Sequence, residues 1–417
     1  MLLNKIHKNI KIRLISGFFQ RTLRAMILPY MIIYLSAYFG VTLSGILLMI
    51  SVIMGILASL LGGYYADRIG RKVVISVSEF VIAVSFLGMF ISNTNYFSSP
   101  ITAYLFFCIN TVAFNISFPA LNAMIIDVST PESRKLIYSI NYWITNLSLA
   151  IGSLIGAFLY SEFLQELLLS CFFMSMIIFF VFLFFIEESI PEQSEPRLLK
   201  IRTLPSVLFS EYSPILKDLK FLKFFFSSLL IMAVELQLTN FVTVRLNKEF
   251  GTRQLFGDLK LSGIEMSGIL RTEAALLVVF CTFIVVKFTR KLSDKTTLTF
   301  GLLFFTIGYM VIAVSNDPAL LMVSVLVLII GELMWVPVSQ SLLPLLIDDH
   351  KRTKYLAILN LHQRGGELIA TLTLTLSSVI TSWYISVFIG LMGFIALLMM
   401  RSLIITQYKN NYFNQKA

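Results

Sequence analysis

The sequence has few charged residues and little of the polar composition that a soluble protein needs. Of its 417 residues, 13% are charged and 57% are hydrophobic, whereas a soluble domain carries about 25% charged residues. The mean hydropathy is +0.84. This composition excludes an ordinary soluble domain and predicts a polytopic membrane protein.

Cysteine and histidine are also scarce, with three of each. The cysteines lie in apolar runs without metal-ligand spacing, and the histidines are scattered, so we predict neither a disulfide framework nor a metal site. The sequence contains no Walker loop and no Gly-x-Ser-x-Gly motif, so ATP is not used directly. We therefore expect no enzyme activity and no cofactor.

What is present is a series of apolar runs, each long enough for one membrane helix of about 20 residues. Twelve runs meet this test, some with interruptions. They are 14–38, 44–66, 73–92, 101–127, 137–160, 167–186, 223–243, 271–290, 297–315, 319–343, 355–380 and 385–403. The sequence thus predicts an all-α polytopic membrane protein with twelve transmembrane helices.

The basic residues, which give a net charge of +10, are unevenly distributed over the loops. Lys and Arg are missing from 39–43, 93–100, 161–166, 316–318 and 381–384 but occur in the intervening loops. By the positive-inside rule, both termini are cytoplasmic in a cell membrane. The exception is 244–270, which we expect to be a long outer loop. Membrane orientation and contact with anionic lipid headgroups explain the net positive charge better than binding of nucleic acid does.

One long polar segment divides the chain into two halves of six spans each. Residues 187–222 contain four prolines and mixed charges, which is typical of a linker. The predicted organisation is an N-terminal six-helix bundle over 1–186, a cytoplasmic linker over 187–222 and a C-terminal six-helix bundle over 223–417. Many secondary transporters consist of two such related halves.

The loop between the second and third spans carries the most specific pattern in the chain. It reads Gly-x-x-x-Asp67-Arg68-x-Gly70-Arg71-Lys72. The glycine tolerates the positive φ that often follows a helix end, and the basic residues suit a cytoplasmic loop. An acid such as Asp67 contributes little to membrane orientation, so its presence among these basic residues needs another explanation. The string resembles the signature loop of the major facilitator superfamily.

Ionisable side chains also occur within the spans, where each costs about 2.5–3.5 kcal/mol on insertion scales. They include Arg21, Arg24, Glu79, Asp127, Glu235, Glu332, His362, Arg364 and Glu367. For each of them, a structural ion pair or a charge reaching the membrane surface is the alternative to a role in transport. Glu235 and Glu332, near mid-span, are the stronger functional candidates.

The span count, the six-plus-six division and the loop together resemble the major facilitator superfamily along the full length of the chain. A narrower similarity to the LmrP-type multidrug/proton antiporters appears in Asn122–Asp127, in Tyr142-Trp143 and in Gly331-Glu332. This resemblance implies export of lipophilic, often cationic compounds driven by proton entry. It also implies a cytoplasmic gate that contains Asp67, Arg68, Gly70, Arg71 and Asp127, and a substrate cavity at Glu332.

Several residues depart from that type. Asn141 and Thr239 stand where it has acids, and Arg21 and Arg24 are additional. We place these four residues with Glu332 in the expected substrate cavity. Because burial disfavours the charged form of a carboxylate, Glu332 is our candidate proton carrier and Glu235 the second.

The leading function is proton-coupled export of amphipathic small molecules by alternating access. An alternative is a transporter of the same fold for an anionic or zwitterionic metabolite or lipid, held by Arg21 and Arg24. A non-transporting membrane sensor is a third possibility, although no loop is long enough for a soluble domain. We expect a monomer whose partners are substrate, protons and membrane lipids.

Overall fold

The computed structural model describes residues 7–189, 215–254, 260–289, 291–347 and 352–414. The side chains of Asp67, Arg134 and Lys135 are among those outside the described part. Most of the predicted linker, at 190–214, also lies outside it. The chain divides into two compact units, Met1–Arg197 and Leu198–Ala417, which we call the first and the second unit.

The first unit is built from five long helices. They are α1 (Lys8–Ile69), α2 (Arg71–Ile91), α3 (Pro100–Asp127), α4 (Pro131–Leu159) and α5 (Leu164–Phe185). A short antiparallel hairpin, β1 (Asn93–Thr94) and β2 (Phe97–Ser98), joins α2 to α3. Ser99 and Thr130 cap α3 and α4 through their hydroxyls, and each helix has proline in its first turn.

Helix α1 contains the first two predicted spans, and the loop predicted at 39–43 is reduced to a kink. The backbone departs from helical geometry at Gly40, where φ is 75° and ψ is 164°. Such a positive φ is accessible to glycine without steric cost. The chain therefore turns from one span to the next at a single residue, and the sequence prediction of a five-residue loop was wrong.

Two glycines of α4 allow this helix to pack closely against α1. A Cβ at Gly152 would lie 2.5 Å from the carbonyl oxygen of Thr22, and one at Gly156 would lie 2.4 Å from that of Met26. The Tyr30 hydroxyl also donates a hydrogen bond of 2.7 Å to the carbonyl of Ser153. The small-x-x-x-small pattern thus places the backbone of α4 directly beside α1.

The second unit contains eight described helices. They are α6 (Leu219–Glu235), α7 (Phe241–Glu249), α8 (Gly263–Thr289), α9 (Asp294–Ile312), α10 (Pro318–Leu342), α11 (Arg352–Leu359), α12 (Leu361–Leu376) and α13 (Ser382–Asn414). Strands β3 (Arg253–Gln254) and β4 (Lys260–Leu261) pair antiparallel between α7 and α8. A 3-10 turn, Leu343–Leu345, continues α10.

Two predicted spans of the second unit are interrupted. The seventh stops at Glu235, passes through a turn at 236–240 and resumes as α7. The eleventh is divided between α11 and α12 at Asn360. Thr239 therefore does not continue the helix of Glu235, because α6 ends at Glu235.

The prediction of an all-α polytopic membrane protein with twelve spans is confirmed. Among the described residues, nine helices are long and apolar enough to cross a membrane. The first of them contains two predicted spans, and the two interrupted spans consist of shorter helices. Pro29, Pro119 and Pro337 lie inside α1, α3 and α10.

Candidate functional site

The signature loop of the first unit is tied to the end of α3. The Arg71 guanidinium forms an ion pair with the Asp127 carboxylate, and the Ser189 hydroxyl donates to the same carboxylate at 3.0 Å. The side chains of Arg71 and Asp127 are 13% and 22% exposed, so the pair is partly shielded from water. The structure thus brings together two of the predicted gate residues.

The N-terminus of α2 is capped by an acid from the segment after α5. Glu188 accepts hydrogen bonds of 3.1 Å from the backbone N–H groups of both Arg71 and Lys72. A carboxylate is favoured there by the unpaired N–H groups and the helix dipole. Gly70 adopts φ 100° and ψ 144°, and a Cβ on it would lie 2.5 Å from Glu188 Oε2. We call Arg71, Asp127, Glu188 and Ser189 the loop latch.

The other gate residues are only partly described. The Arg68 guanidinium stacks over the Tyr64 ring, 4.1 Å from its centroid, and the side chain of Asp67 lies outside the described part. The sequence analysis missed Glu188 and Ser189. Two consecutive acids directly after an apolar span, Glu187 and Glu188, were the signal that could have identified them.

A second group of polar side chains is buried within the first unit. The Gln20 amide donates a hydrogen bond of 2.6 Å to the Glu79 carboxylate, and Arg13 donates one of 3.4 Å to the Gln20 carbonyl oxygen. Arg13 is 4% exposed and Glu79 is 1% exposed. Gln20 thus links a buried cation to a buried anion.

Two further arginines of α1 belong to this group. The Arg24 guanidinium lies 3.5 Å from the centroid of the Phe114 ring and interacts electrostatically with Glu79. Arg21 donates a hydrogen bond of 2.8 Å to the Asn141 side-chain oxygen of α4. We call Arg13, Gln20, Arg21, Arg24 and Glu79 the basic cluster. Its members Arg13 and Gln20 were missed as site candidates because they lie at the edge of the first predicted span or carry no charge.

The two candidate proton carriers are neighbours in the second unit. Glu235 ends α6 and Glu332 lies on α10. The two carboxyls interact electrostatically with each other and with the buried phenol of Tyr309. Within the described residues of the second unit, neither carboxyl has a basic partner or a hydrogen bond. We call Glu235 and Glu332 the acid pair.

Close backbone packing fixes the position of Glu332. A Cβ at the preceding residue, Gly331, would lie 2.5 Å from the carbonyl oxygen of Gly301 on α9. Only a residue without a side chain allows the two helices to approach this closely. Glu332 therefore projects from a rigid contact between α9 and α10, whereas Glu235 lies at a helix end.

A cavity of about 250 Å³ reaches Glu235 from within the second unit. Its lining includes Ser339, Gln340 and His362 together with the Trp335 indole. The indole N–H is buried without a hydrogen-bond partner among the described residues. The cavity thus combines an acid, an unsatisfied donor and aromatic and aliphatic surface, which are the features of a site for small amphipathic molecules.

A larger cavity, of about 410 Å³, lies in the first unit. It is lined almost entirely by apolar residues of α1, α2 and α3, among them Met54, Val77 and Ile109. Its lining contains no acid and no base. This cavity therefore offers no chemistry for proton transfer, and we do not assign the transport site to it.

The remaining predicted candidates have local roles or stand apart. Arg364 pairs with Glu367 at 3.1 Å on the same helix, and a ring nitrogen of His362 contacts the Leu359 carbonyl. Thr239 lies in the turn after α6. Glu273 on α8 was missed by the sequence analysis, although it lies inside a predicted span.

Arg245 is one of the basic residues in 244–270, the predicted outer loop that departs from the charge rule. It is a buried residue of α7 and donates hydrogen bonds of 2.9 Å to the Asn316 side chain and 3.1 Å to the Ile312 carbonyl. Desolvation by burial lowers the pKa of this guanidinium, and the nearby carboxylate of Glu249 opposes that effect. Arg245 thus connects α7 to the C-terminal end of α9, and this contact accounts for its position without a role in membrane orientation.

Comparison with known proteins gives consistent matches over the whole chain. The model of the Major Facilitator Superfamily matches residues 13–270 and 254–416. A "Na(+), Li(+), K(+)/H(+) antiporter" of Planococcus maritimus is 29% identical over 388 residues, which cover 91% of this chain and 90% of that protein. The uncharacterized MFS-type transporter YqjV of Bacillus subtilis (strain 168) is 24% identical over 328 residues, 77% of this chain and 74% of that protein.

Solved structures match at the level of the fold. The crystal structure of a peptide transporter POT in complex with sulfate has a TM-score of 0.72 at 14% identity and covers 96% of this chain and 94% of that chain. A mutant of the nucleoside transporter NupG has a TM-score of 0.71 at 14% identity, over 95% of this chain and 100% of that chain.

Proposed function

Because the chain belongs to the Major Facilitator Superfamily, we propose that it is a proton-coupled exporter of amphipathic small molecules that works by alternating access. It is a multi-pass membrane transporter and not an enzyme. The observation that carries the proposal is the acid pair, since these two carboxyls lack a basic partner among the described residues of the second unit.

The acid pair has the properties that a proton carrier needs. A carboxylate enclosed by protein loses its hydration, which disfavours the charged form. The neighbouring carboxyl adds repulsion when both are ionised, so one proton is held more readily than none. In this proposal Glu332 binds a proton from one side of the membrane and releases it when the site opens to the other side. Glu235, facing the cavity, is the second site.

The loop latch supplies the conformational part of the proposal. Its ion pair and its capped helix join α2, α3 and the segment after α5 at one end of the first unit. Contacts of this kind bias an equilibrium between states when they form in only one of them. We propose that Asp67, Arg68, Gly70, Arg71 and Asp127 act here as a gate on the cytoplasmic side.

A second candidate function is exchange of alkali cations for protons. The similarity to the "Na(+), Li(+), K(+)/H(+) antiporter" of Planococcus maritimus favours it. The acid pair, which lacks a basic partner among the described residues of the second unit, also favours it, because carboxylate oxygens suit hard cations. In this candidate the cation replaces the proton at the acid pair. The organic substrate would then be absent from the cycle.

Proton movement in proteoliposomes tests both candidates. The purified protein is reconstituted with a pH-sensitive dye inside, and a pH gradient is imposed. A rise in the rate of proton flux on addition of lipophilic organic compounds, with no response to Na⁺, Li⁺ or K⁺, is the expected result. A response to the alkali cations alone would replace the proposal with the second candidate, and no response to either would contradict both.

The proposed location is the cell membrane, with both termini in the cytoplasm. In a background without native cysteines, Asn95→Cys in the first unit should react with an impermeant thiol reagent added to intact cells. Lys291→Cys in the second unit should react only after the cells are opened. Both residues are exposed, so failure to react would report sidedness, and the reversed pattern would overturn the orientation.

A further inference from the structure

We propose that the basic cluster contains an oxyanion-binding site centred on Arg21, and that the exported amphipath carries a carboxylate, sulfonate or phosphate group. This inference rests on the proposed export function and names its substrate class. It assigns the site to the first unit, and it needs no geometry between the two units.

Two guanidinium groups converge over one glycine of α1. A Cβ placed on Gly17 would lie 2.5 Å from Arg13 Nη1 and 3.0 Å from Arg21 Nη1. The two cationic nitrogens therefore lie within about 5.5 Å of each other, the sum of these distances, although like charges repel. The lack of a side chain at position 17 is what makes room for both groups.

Charge balance within the cluster leaves Arg21 without a counter-ion. Arg13 is linked to Glu79 through Gln20, and Arg24 interacts with Glu79 and with the Phe114 ring. Arg21 has only the neutral Asn141 as a hydrogen-bond partner among the described residues. Its Nη1 is buried and makes no hydrogen bond there. Among the described members of the basic cluster, one carboxylate thus accompanies three guanidinium groups.

The chemistry of this arrangement selects its ligand. Asn141 accepts a hydrogen bond from Arg21 Nη2 at 2.8 Å and fixes the plane of the guanidinium. The adjacent Nη1 remains available as a donor beside Arg13. Oxygens of a carboxylate, sulfonate or phosphate can accept from both guanidinium groups, and such charge-assisted hydrogen bonds are the strong ones. A cationic ligand would be repelled there.

A purely structural role for Arg21 makes a different prediction. If the arginine serves only to link α1 to α4, an acid at position 141 strengthens the link and leaves transport unchanged. If Arg21 binds an oxyanion, the same acid occupies the guanidinium and competes with the ligand. Asn141→Asp is nearly isosteric, so it separates these two roles with little change in packing.

The experiment measures binding and transport of three size-matched probes: 1-naphthalenesulfonate, 1-naphthalenemethanol and 1-naphthalenemethylamine. In equilibrium dialysis with the full-length protein in an uncharged detergent, Asn141→Asp should weaken sulfonate binding by about tenfold or more. Binding of the neutral alcohol should change little, and the thermal unfolding midpoint should be retained. Unchanged sulfonate binding in a folded Asn141→Asp protein would overturn the inference.

A second variant protects the test against misfolding. Gly17→Ala adds no charge and removes none, but its methyl group must displace one of the two guanidinium groups. It should weaken sulfonate binding while the alcohol still binds. If both variants bind the sulfonate as the wild type does, the oxyanion site does not exist.

The same probes distinguish this inference from the proposed function. If an imposed pH gradient drives the cationic or neutral probe but never the sulfonate, proton-coupled export stands and the oxyanion site is wrong as a substrate site. If the sulfonate binds in an Arg21-dependent manner but no probe responds to the gradient, the site stands and proton coupling fails.

A lipid headgroup could supply the same phosphate chemistry. Phospholipid that co-purifies with the protein is therefore measured by mass spectrometry in the wild type and in Asn141→Asp. Loss of anionic phospholipid with unchanged sulfonate transport would identify the oxyanion as a headgroup. Loss of sulfonate binding and transport with unchanged phospholipid would identify it as the substrate.

Discussion

The basic cluster of the first unit and the acid pair of the second carry opposite net charge and differ in their neighbours. In the first, Arg13 and Arg24 interact with Glu79, and Gln20 links Arg13 to Glu79 by hydrogen bonds. In the second, Glu235 and Glu332 interact with each other and have no basic partner among that unit's described residues. Cationic and hydrogen-bonding neighbours favour the charged form of a carboxylate, whereas two neighbouring acids that lack them favour uptake of a proton.

This difference indicates a division of labour. A buried charge whose counter-ion is removed is costly, so loss of Glu79 should destabilise the first unit. Proton uptake by the acid pair lowers the free-energy cost of burying its charge, because a neutral carboxyl is less costly to bury than a charged one. We therefore propose that proton coupling resides in the second unit and recognition of substrate charge in the first.

The largest effect is expected from Glu332→Gln, which mimics the protonated acid. Uphill, proton-driven transport in inverted vesicles should be abolished, since the site can no longer exchange a proton. Downhill flux of the same substrate should persist, because the fold and the cavity are retained. One charge moved through about 100 mV yields about 2.3 kcal/mol, so the lost driving force is large enough to measure.

Glu332→Asp is the matched control, as it keeps a titratable group at the same position and should retain part of the uphill transport. Survival of full uphill transport in Glu332→Gln would show that Glu332 does not carry the coupling proton. A fall in both fluxes with a lower unfolding temperature would instead indicate a structural ion pair.

The next largest effect is expected from Glu79→Gln, in the opposite unit. The amide can still hydrogen-bond to Gln20, but Arg13 and Arg24 lose their common counter-ion. We expect a loss of stability of about 3 kcal/mol, seen as a lower thermal unfolding midpoint in detergent. Among molecules that remain folded, the ratio of uphill to downhill transport should be that of the wild type.

This variant can also break the comparison. If Glu79→Gln is as stable as the wild type but loses uphill transport, Glu79 is itself a proton carrier. The first unit would then resemble the second, and the division of labour would be wrong.

Much of the fold was predictable from the sequence, for physical reasons that vary between elements. A membrane span needs a long apolar run, so the runs for α2, α3 and α5 were found within a few residues. The single-residue turn at Gly40 was not found, because the loop length depends on one φ angle. The break after Glu235 was not found either, since the apolar run continues through it.

The candidate sites were predictable in part. Charge inside an apolar run identified Glu332 and Arg21, because each is expensive to bury. Gln20 and Gly17 carry no such signal, and their roles depend on which neighbours the helix face presents. Glu188 was missed because its partners are backbone N–H groups, so the two consecutive acids after α5 did not reveal what they contact.

Glu235→Gln sharpens the comparison within the acid pair. Glu235 lies at a helix end beside the cavity, whereas Glu332 is held by the close packing of Gly301 and Gly331. We therefore expect Glu235→Gln to slow uphill transport several-fold without abolishing it. Uphill transport is measured in vesicles for Glu235→Gln and Glu332→Gln together, which shows which variant loses more of it. If Glu235→Gln abolished uphill transport and Glu332→Gln retained it, Glu235 would be the main proton carrier and Glu332 the second site.

The smallest effect is expected from Gly70→Ala, at the loop latch of the first unit. A residue with a Cβ is strained at φ 100° and ψ 144°, at a cost of about 1–3 kcal/mol, and its methyl group would meet the Glu188 carboxylate. Release of Glu188 exposes the N-terminus of α2 and weakens the latch. Transport should slow by a few-fold while substrate affinity, measured by equilibrium binding, stays near that of the wild type.

Glu188→Gln, which keeps the backbone relaxed but removes the negative charge, is the control. If Gly70→Ala slows transport and Glu188→Gln does not, the glycine acts through its backbone conformation and the contact with Glu188 has no part in switching.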